Sequence, residues 1–393
     1  MKKKHCYITF LTSLSLIGCT TDSDIDSNKK LHIGDSDYQK IVRMLNEADL
    51  GSKTRTTCQP LIKSIKNKSY AVKNNSVTEC DVQTETRSKD NTIFTISCVE
   101  FTTDGTDRYA FLSTDDRLES IYFIADSGEL TDTANNEILN DYINSIPNIA
   151  AYELINNTTI NPEIVQEIPI PIVKYNWGQG FPYNSQLMYC GGPYCNNLEN
   201  KGYPNIGCTT VAVAQALATI DVLPYWWNIK IDKFKYNTDD FTEDQFDEIG
   251  RYMKMIADGC NVRINCKDQD RNSNGSGGIL HDVKSFLISL NYEVEYSLKT
   301  IDSEKLRKEL IKGYPHILSG INKTNPELGG HAWIIDGLKT TKNGYIYHCS
   351  WGWNGNSNGW VKGVPYNING VSYEKEPVNL YILKASGYSS PAI

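Results

Sequence analysis

The chain has 393 residues, of which 40% are hydrophobic and 22% charged, and its formal net charge is −8. This length exceeds that of one average domain and predicts two domains, each with enough apolar residues for a core. Acidic and basic residues are interspersed, which excludes the basic surface of a nucleic-acid-binding protein.

The first 18 residues have the pattern of an export signal. A run of three lysines precedes a short apolar stretch that ends just before Cys19. The stretch is too short to span a bilayer as a mature helix. Its end resembles the bacterial lipobox, in which the cysteine is diacylated and becomes the first mature residue. We therefore expect a lipoprotein signal over residues 1–18 and a lipid anchor on Cys19, with an ordinary cleaved signal as the alternative. Residues 19–34 are acidic and polar and are predicted to form a flexible tether.

Residues 35–156 are predicted to form a small α+β domain. Apolar residues at helical spacing predict helices over 37–49 and 133–156. Between them, apolar stretches separated by turns predict strands over 93–99, 109–113 and 121–125. No acid, base or nucleophile pattern is found in this region.

A proline-containing stretch follows the second of these helices. Ile168-Pro169-Ile170-Pro171 must be extended, because proline restricts both itself and the residue before it. We predict a linker and processing region over 157–173, followed by a second domain over 174–393.

A glycine-rich segment opens the second domain. Glycines flank Gln179 on both sides, so its amide side chain could lie close to backbone, as an oxyanion donor must. A glycine-rich turn without a chemical role is the alternative.

The second domain is organised around a helix that is predicted to begin at Cys208. Proline, asparagine and glycine before Cys208 break regular structure, and the residues after it are small or apolar. The free N–H groups and partial positive charge of a helix N-terminus stabilise a thiolate over a thiol. Cys208 is therefore the candidate nucleophile. The alternative is a small buried cysteine that packs as a hydrophobic residue.

The chain contains 11 cysteines, and an oxidising compartment predicts disulfides. Cys190 and Cys195 close a loop of glycine and proline, and Cys260 and Cys266 could close another. Cys208 is the thiol that we expect to remain reduced. A metal site is the rival interpretation, but no cysteine or histidine pair has the usual zinc spacing. We expect neither a metal nor a cofactor.

The remaining helices and strands complete the second domain. Helices are predicted over 244–257, 278–290 and 302–311, and the last hundred residues change to strands. His331 follows two glycines and begins a strand, where a histidine would lie at the edge of a cleft. His348 fits a histidine packed in the next strand. His331 is therefore the candidate base.

The order of four motifs, WGQGFPYN, GCTTVAVAQ, GGHAWIIDG and WGWNG, resembles the streptopain family of papain-like cysteine peptidases. The resemblance covers roughly residues 174–383. It implies an α+β papain-like domain with a helical part and an antiparallel sheet or barrel part. By position it makes Cys208 the nucleophile, His331 the base and Gln179 the oxyanion donor, with Trp351 as an aromatic wall near the histidine.

One position departs from the pattern of the family, which usually has asparagine before this tryptophan, whereas this chain has Ser350. The imidazole would then be oriented by the Ser350 hydroxyl or by a backbone carbonyl. The segment 109–117 in the first domain is similar to the inhibitory propeptide of the family.

The resemblance implies a cysteine endopeptidase that is made as a zymogen, acts on proteins or peptides and is inhibited by its own propeptide. With the signal, it predicts an exported precursor anchored at the cell envelope or surface through Cys19. Cleavage in the linker would release the mature domain. Two other functions fit the sequence. One is a thiol acyltransferase or amidase on the same fold, and the other is a non-catalytic surface lipoprotein that binds peptides or host proteins.

Overall fold

The computed structural model describes parts of both predicted domains, 35–156 and 174–393. The described residues are 35–48, 60–73, 76–80, 92–135, 137–156, 171–190, 200–221, 223–224, 227, 229, 241–265, 276–298, 301–321, 330–341, 344–362 and 375–385. The predicted signal, Cys19, the tether and most of the predicted linker lie outside them, as do Cys195 and Cys266.

Within these residues the chain forms six α-helices and eleven strands. The helices are α1 (Asp35–Glu47), α2 (Glu137–Asn156), α3 (Cys208–Ile220), α4 (Glu243–Gly259), α5 (Leu280–Ser289) and α6 (Ser303–Ile311). The strands are β1 (Leu61–Lys73), β2 (Ser76–Cys80), β3 (Thr92–Thr103), β4 (Thr106–Leu112), β5 (Ile121–Ala125), β6 (Tyr292–Ser297), β7 (His316–Ile321), β8 (Gly330–Thr341), β9 (Gly344–Ser350), β10 (Gly359–Lys362) and β11 (Lys375–Ala385). None of the described helices is long and apolar enough to cross a membrane.

All eleven strands belong to one sheet, in the order β2-β1-β3-β4-β5-β10-β9-β8-β7-β11-β6. Each neighbouring pair is antiparallel. The predicted α+β class, with a helical part and a large antiparallel sheet, is confirmed.

Strand β8 separates two hydrophobic cores. Successive side chains of a strand point to opposite faces of the sheet. Ala332 and Ile334 therefore belong to the core that contains α3, α4 and α5. Trp333 and Ile335 belong to the other core, which they share with α2 and with strands of the N-terminal region. Because both faces of β8 are covered, it is apolar throughout this segment.

The N-terminal region joins the rest of the chain through the pairing of β5 with β10, in which Gly359 lies opposite Ala125. A Cβ atom added to Gly359 would lie 2.0 Å from the carbonyl oxygen of Ile124. Only glycine allows the two backbones to approach this closely, so Gly359 fixes the position of the junction.

Two charge clusters cross the same junction, and all of their side chains are buried except that of Asp126. His348 lies between Asp336, 2.5 Å from its Nδ1, and Asp126, 2.6 Å from its Nε2. Lys362 lies between Glu119 and Glu153. Asp126, Glu119 and Glu153 belong to the N-terminal region, whereas the two basic residues lie on β9 and β10. Removing one partner of such a pair leaves an uncompensated buried charge, so these clusters specify how the two regions fit together.

One expectation about the cysteines needs correction. Cys260 is a free, fully buried thiol, so the predicted disulfide between Cys260 and Cys266 is wrong. Cys260 ends α4 and packs into the helical core, where a thiol behaves as a small apolar group. Cys190 is disulfide-bonded, and its pairing with Cys195 stays a prediction. His348 is packed in its strand as predicted, and its two ring nitrogens contact the carboxylates of Asp336 and Asp126.

The His348 cluster predicts a pH-dependent stability. Burial alone would lower the pKa of His348, but Asp336 and Asp126 outweigh it and raise the pKa from 6.5 to about 10. Because the folded pKa is above the unfolded one, the stabilisation is fully present below about pH 6.5 and is lost as the pH rises through about 10.

We therefore expect the free energy of unfolding of the wild-type chain to fall more between neutral and strongly alkaline pH than that of His348→Gln. The expected difference exceeds about 1 kcal/mol. Urea unfolding at both pH values measures it, with the exposed His281→Gln as the matched control. Equal pH dependence of the wild-type chain and His348→Gln would contradict the ionised state of His348.

Candidate active site

Cys208 is the first residue of α3, and Gly207 before it permits this position. Gly207 has φ 94°, and a Cβ atom there would lie 2.8 Å from the carbonyl oxygen of Ser276. Next to Cys208, the Thr209 hydroxyl donates to the Gly278 carbonyl at 2.9 Å and accepts from the Gly278 N–H at 3.2 Å. The segment 276–278 is thereby held against the beginning of the helix.

The surroundings of Cys208 favour a thiolate. Burial would raise the pKa of this thiol, but the positive charge of His331 and a side-chain hydrogen bond with His331 lower it. The backbone N–H groups of Ala332 and Thr209 add hydrogen bonds, the first at 3.3 Å from Sγ. The net result is a pKa below the usual value for cysteine. These are the conditions that produce a reactive cysteine.

In three other described cysteines the pKa of the thiol is raised instead of lowered. Burial raises the pKa of Cys98 to about 12, and it also raises the pKa of Cys260 and of Cys349. Thiols of this kind are inert structural groups. Of these four thiols, Cys208 alone combines a nearby imidazole with a lowered pKa.

His331 lies at the start of β8, where it pairs with Gly320 of β7. Its Nε2 atom is 2.9 Å from the backbone carbonyl oxygen of Trp351. A carbonyl oxygen only accepts hydrogen bonds, so Nε2 carries the proton. The other ring nitrogen, Nδ1, is then the atom that can exchange a proton with the Cys208 thiol. The indole of Trp353 lies parallel to the imidazole, with 6.0 Å between ring centroids and an angle of 3°.

The structure selects one of the two expected acceptors for His331 and shows which indole rings lie parallel to its imidazole. The acceptor for its Nε2 is the backbone carbonyl of Trp351, not the Ser350 hydroxyl, which instead donates to Gln215 Oε1 at 3.5 Å and accepts from Asn358. Ser350 ends β9 with its side chain directed to the core, which explains this arrangement. The Trp351 indole is fully buried and donates to the carbonyl of Ser357, while the rings of Trp353 and Trp333 lie nearly parallel to the imidazole.

Gln179 lies in a loop that is attached to the beginning of α3. Its backbone carbonyl accepts a hydrogen bond of 3.0 Å from the N–H of Ile206, two residues before Cys208. Its side chain is buried, at 6% exposure. The flanking Gly178 leaves room for the amide of Asn354, since a Cβ atom there would lie 2.2 Å from Asn354 Oδ1. The loop thus packs between the nucleophile helix and the turn that follows Trp351.

No role was predicted from the sequence for three residues near the site: Trp353, Gln215 and Asn358. Trp353 lies in the quoted WGWNG motif, but the motif alone does not say which of its two tryptophans faces the histidine. Gln215 is buried on α3 with apolar neighbours along the chain, and a buried amide needs hydrogen-bond partners, which is the signal that could have identified it. Among the described residues, no group of three or more metal-ligating side chains could hold a metal ion.

Comparison with known proteins gives a family match and similar folds. Residues 218–361 match the model of the Peptidase C10 family. This segment contains His331 and Trp351 and begins after Cys208. Prointerpain A from Prevotella intermedia, in a cysteine-to-alanine mutant fragment, aligns with a TM-score of 0.53 and 20% identity over 75% of this chain and 96% of that chain.

The active wild-type interpain A cysteine protease from Prevotella intermedia aligns with a TM-score of 0.44 and 22% identity over 56% of this chain and 98% of that chain. No curated protein matches. The alignment with prointerpain A shows that the two chains have a similar fold. The family match confirms the predicted resemblance to the streptopain family, and residues 218–361 are similar to the Peptidase C10 family.

Proposed function

We propose that this chain is an exported cysteine endopeptidase that hydrolyses peptide bonds through a thiolate–imidazolium pair of Cys208 and His331. The observation that carries the proposal is the position of the Cys208 thiol at the start of α3, where it is hydrogen-bonded to His331 and accepts from the Ala332 N–H at 3.3 Å. A thiolate beside an imidazolium is the usual form of an activated cysteine nucleophile.

The reaction proceeds in two steps through a thioester. The Cys208 thiolate attacks the carbonyl carbon of the peptide bond, and the resulting oxyanion accepts hydrogen bonds from the Cys208 N–H and the Gln179 amide. The imidazolium of His331 gives its proton to the amine nitrogen as the C–N bond breaks. His331 then removes a proton from water, which attacks the thioester and releases the acid and the thiolate.

The N-terminal region is proposed to be the inhibitory propeptide of the same chain. Prointerpain A is named as a pro-form, and its alignment covers more of this chain than residues 174–393 contain. Strand β5 of the N-terminal region pairs with β10. Strand β10 in turn pairs with β9, which ends just before Trp351. We propose that the precursor is anchored through Cys19, and that cleavage within 157–173 both activates the enzyme and separates it from the anchor.

Replacement of the nucleophile tests the proposed activity directly. Cys208→Ser should lower casein and peptide cleavage at least about 10³-fold, because a serine hydroxyl is not ionised by the same surroundings. Cys349→Ala is the matched control, since it removes a thiol that is buried and of raised pKa. Cleavage rates are compared at equal amounts of folded protein. Full activity of Cys208→Ser, or equal loss in the control, would overturn the choice of nucleophile.

Replacement of Gln179 tests the oxyanion site. Gln179→Ala should lower kcat about 100- to 1000-fold, because one preorganised donor is lost in the transition state. Steady-state kinetics on a peptide substrate measure the effect. The exposed Gln186→Ala, seven positions along the same segment, should leave kcat unchanged. An unchanged kcat in Gln179→Ala would exclude this residue as the donor.

Cell fractionation tests the anchor and the processing step together. Wild-type cells should contain a full-length form in the membrane fraction and a shorter, soluble and active form that begins after the linker. If the cleavage is autocatalytic, Cys208→Ser should accumulate the anchored precursor. Cys19→Ser should remove the precursor from the membrane fraction. A mature domain that stays in the membrane after cleavage would contradict the proposed release.

A further inference from the structure

The orientation of His331 depends on a backbone carbonyl whose own position must be fixed. The Trp351 carbonyl that accepts from His331 Nε2 lies just beyond the end of β9, outside the regular pairing of the sheet. A carbonyl in such a segment keeps an imidazole in one orientation only if neighbouring groups fix the backbone of the segment. The groups bonded to Ser350 and Trp351 therefore decide how firmly the histidine is oriented.

Asn358 is bonded to both of these residues. Its Oδ1 accepts from the backbone N–H of Trp351 at 2.9 Å, and its Nδ2 donates to the Ser350 hydroxyl at 3.3 Å. The side chain is buried, with 6% of Asn358 exposed. A buried amide that uses both of its ends on adjacent residues leaves them little freedom to shift.

The same network reaches the helix that carries the nucleophile. The Ser350 hydroxyl donates to Oε1 of Gln215, two turns after Cys208 on α3. Nε2 of Gln215 in turn donates to the backbone carbonyl of Tyr175. Hydrogen bonds thus connect α3, through Ser350 and Asn358, to the segment whose carbonyl holds His331.

We propose that Asn358 is the positioning residue for the His331 imidazole. It acts through the Trp351 peptide and takes the place of the asparagine that this chain lacks at position 350. Ser350 connects Asn358 to Gln215 and does not touch the reacting atoms. This inference rests on the proposed function, because it assigns a role within that reaction.

Loss of Asn358 has a specific chemical consequence. The Trp351 N–H would lose its acceptor, and the carbonyl of the same residue could turn away from Nε2. The imidazolium would then lose a hydrogen bond that favours its charged form, so His331 would give up its proton at a lower pH. The alkaline limb of a bell-shaped pH profile of kcat/KM reports this proton loss.

The test is the pH profile of peptide hydrolysis by Asn358→Ala, produced as the full chain and assayed after cleavage within 157–173, with active protein quantified by titration of the reactive thiol. We expect kcat to fall about 10- to 100-fold with KM changed less than about threefold. We expect the alkaline limb to move about one pH unit lower, a tenfold change in the proton equilibrium. Asn356→Ala, an exposed residue of the same turn, should keep the wild-type profile.

Ser350→Ala is the second variant, since it changes one buried atom and breaks the same network. It should move the alkaline limb in the same direction by a smaller amount. If Asn358→Ala does not fold, the result for Ser350→Ala decides. A purely structural role would lower the amount of active protein and leave the profile of that protein unchanged, and this result overturns the inference. Absence of hydrolysis by the wild-type chain would instead overturn the proposed function, and the inference with it.

Discussion

The candidate site depends on a hydrogen bond between a strand and a helix terminus, from the N–H of Ala332 to the Sγ atom of Cys208. A buried thiolate is stable only where donors and positive charge surround it. The start of α3 and the start of β8 supply both, because Ala332 and His331 are adjacent on the strand. The small residues of α3 let the helix lie directly on β8. The same contact between α3 and β8 therefore packs the core and activates the thiol.

The positions of Cys208 and His331, and the helix and strand that carry them, could be predicted from the sequence. A glycine before Cys208 and small residues after it predicted a buried helix with a cysteine at its start, and the glycines before His331 predicted the strand. The short strand β10 was not predicted, since four residues carry little pattern and its pairing with β5 and β9 comes from distant parts of the chain. The contacts of His331 could not be assigned from the sequence either. A motif gives the order of residues, but it does not say whether a ring or a carbonyl faces the imidazole.

The turn after Trp351 links the candidate site to the N-terminal region. Asn354 and Ser357 have φ values of 53° and 59°, in the left-handed region that such residues seldom occupy. Hydrogen bonds from Asp126 N–H to the Asn358 carbonyl, at 2.6 Å, and from Ser357 N–H to the Ser127 carbonyl, at 3.3 Å, hold the turn from the N-terminal side. Removal of the N-terminal region would release these bonds. The segment that orients His331 is thus also a point of contact with the proposed propeptide.

Covalent labelling tests whether Cys208 is the activated thiol. A peptidyl epoxide that reacts with thiol proteases is added to the active protein, and the modified peptide is identified by mass spectrometry. One adduct is expected, on Cys208, and it should form as activity is lost, with Cys260 and Cys349 unmodified. Loss of activity with the adduct on another cysteine would contradict it.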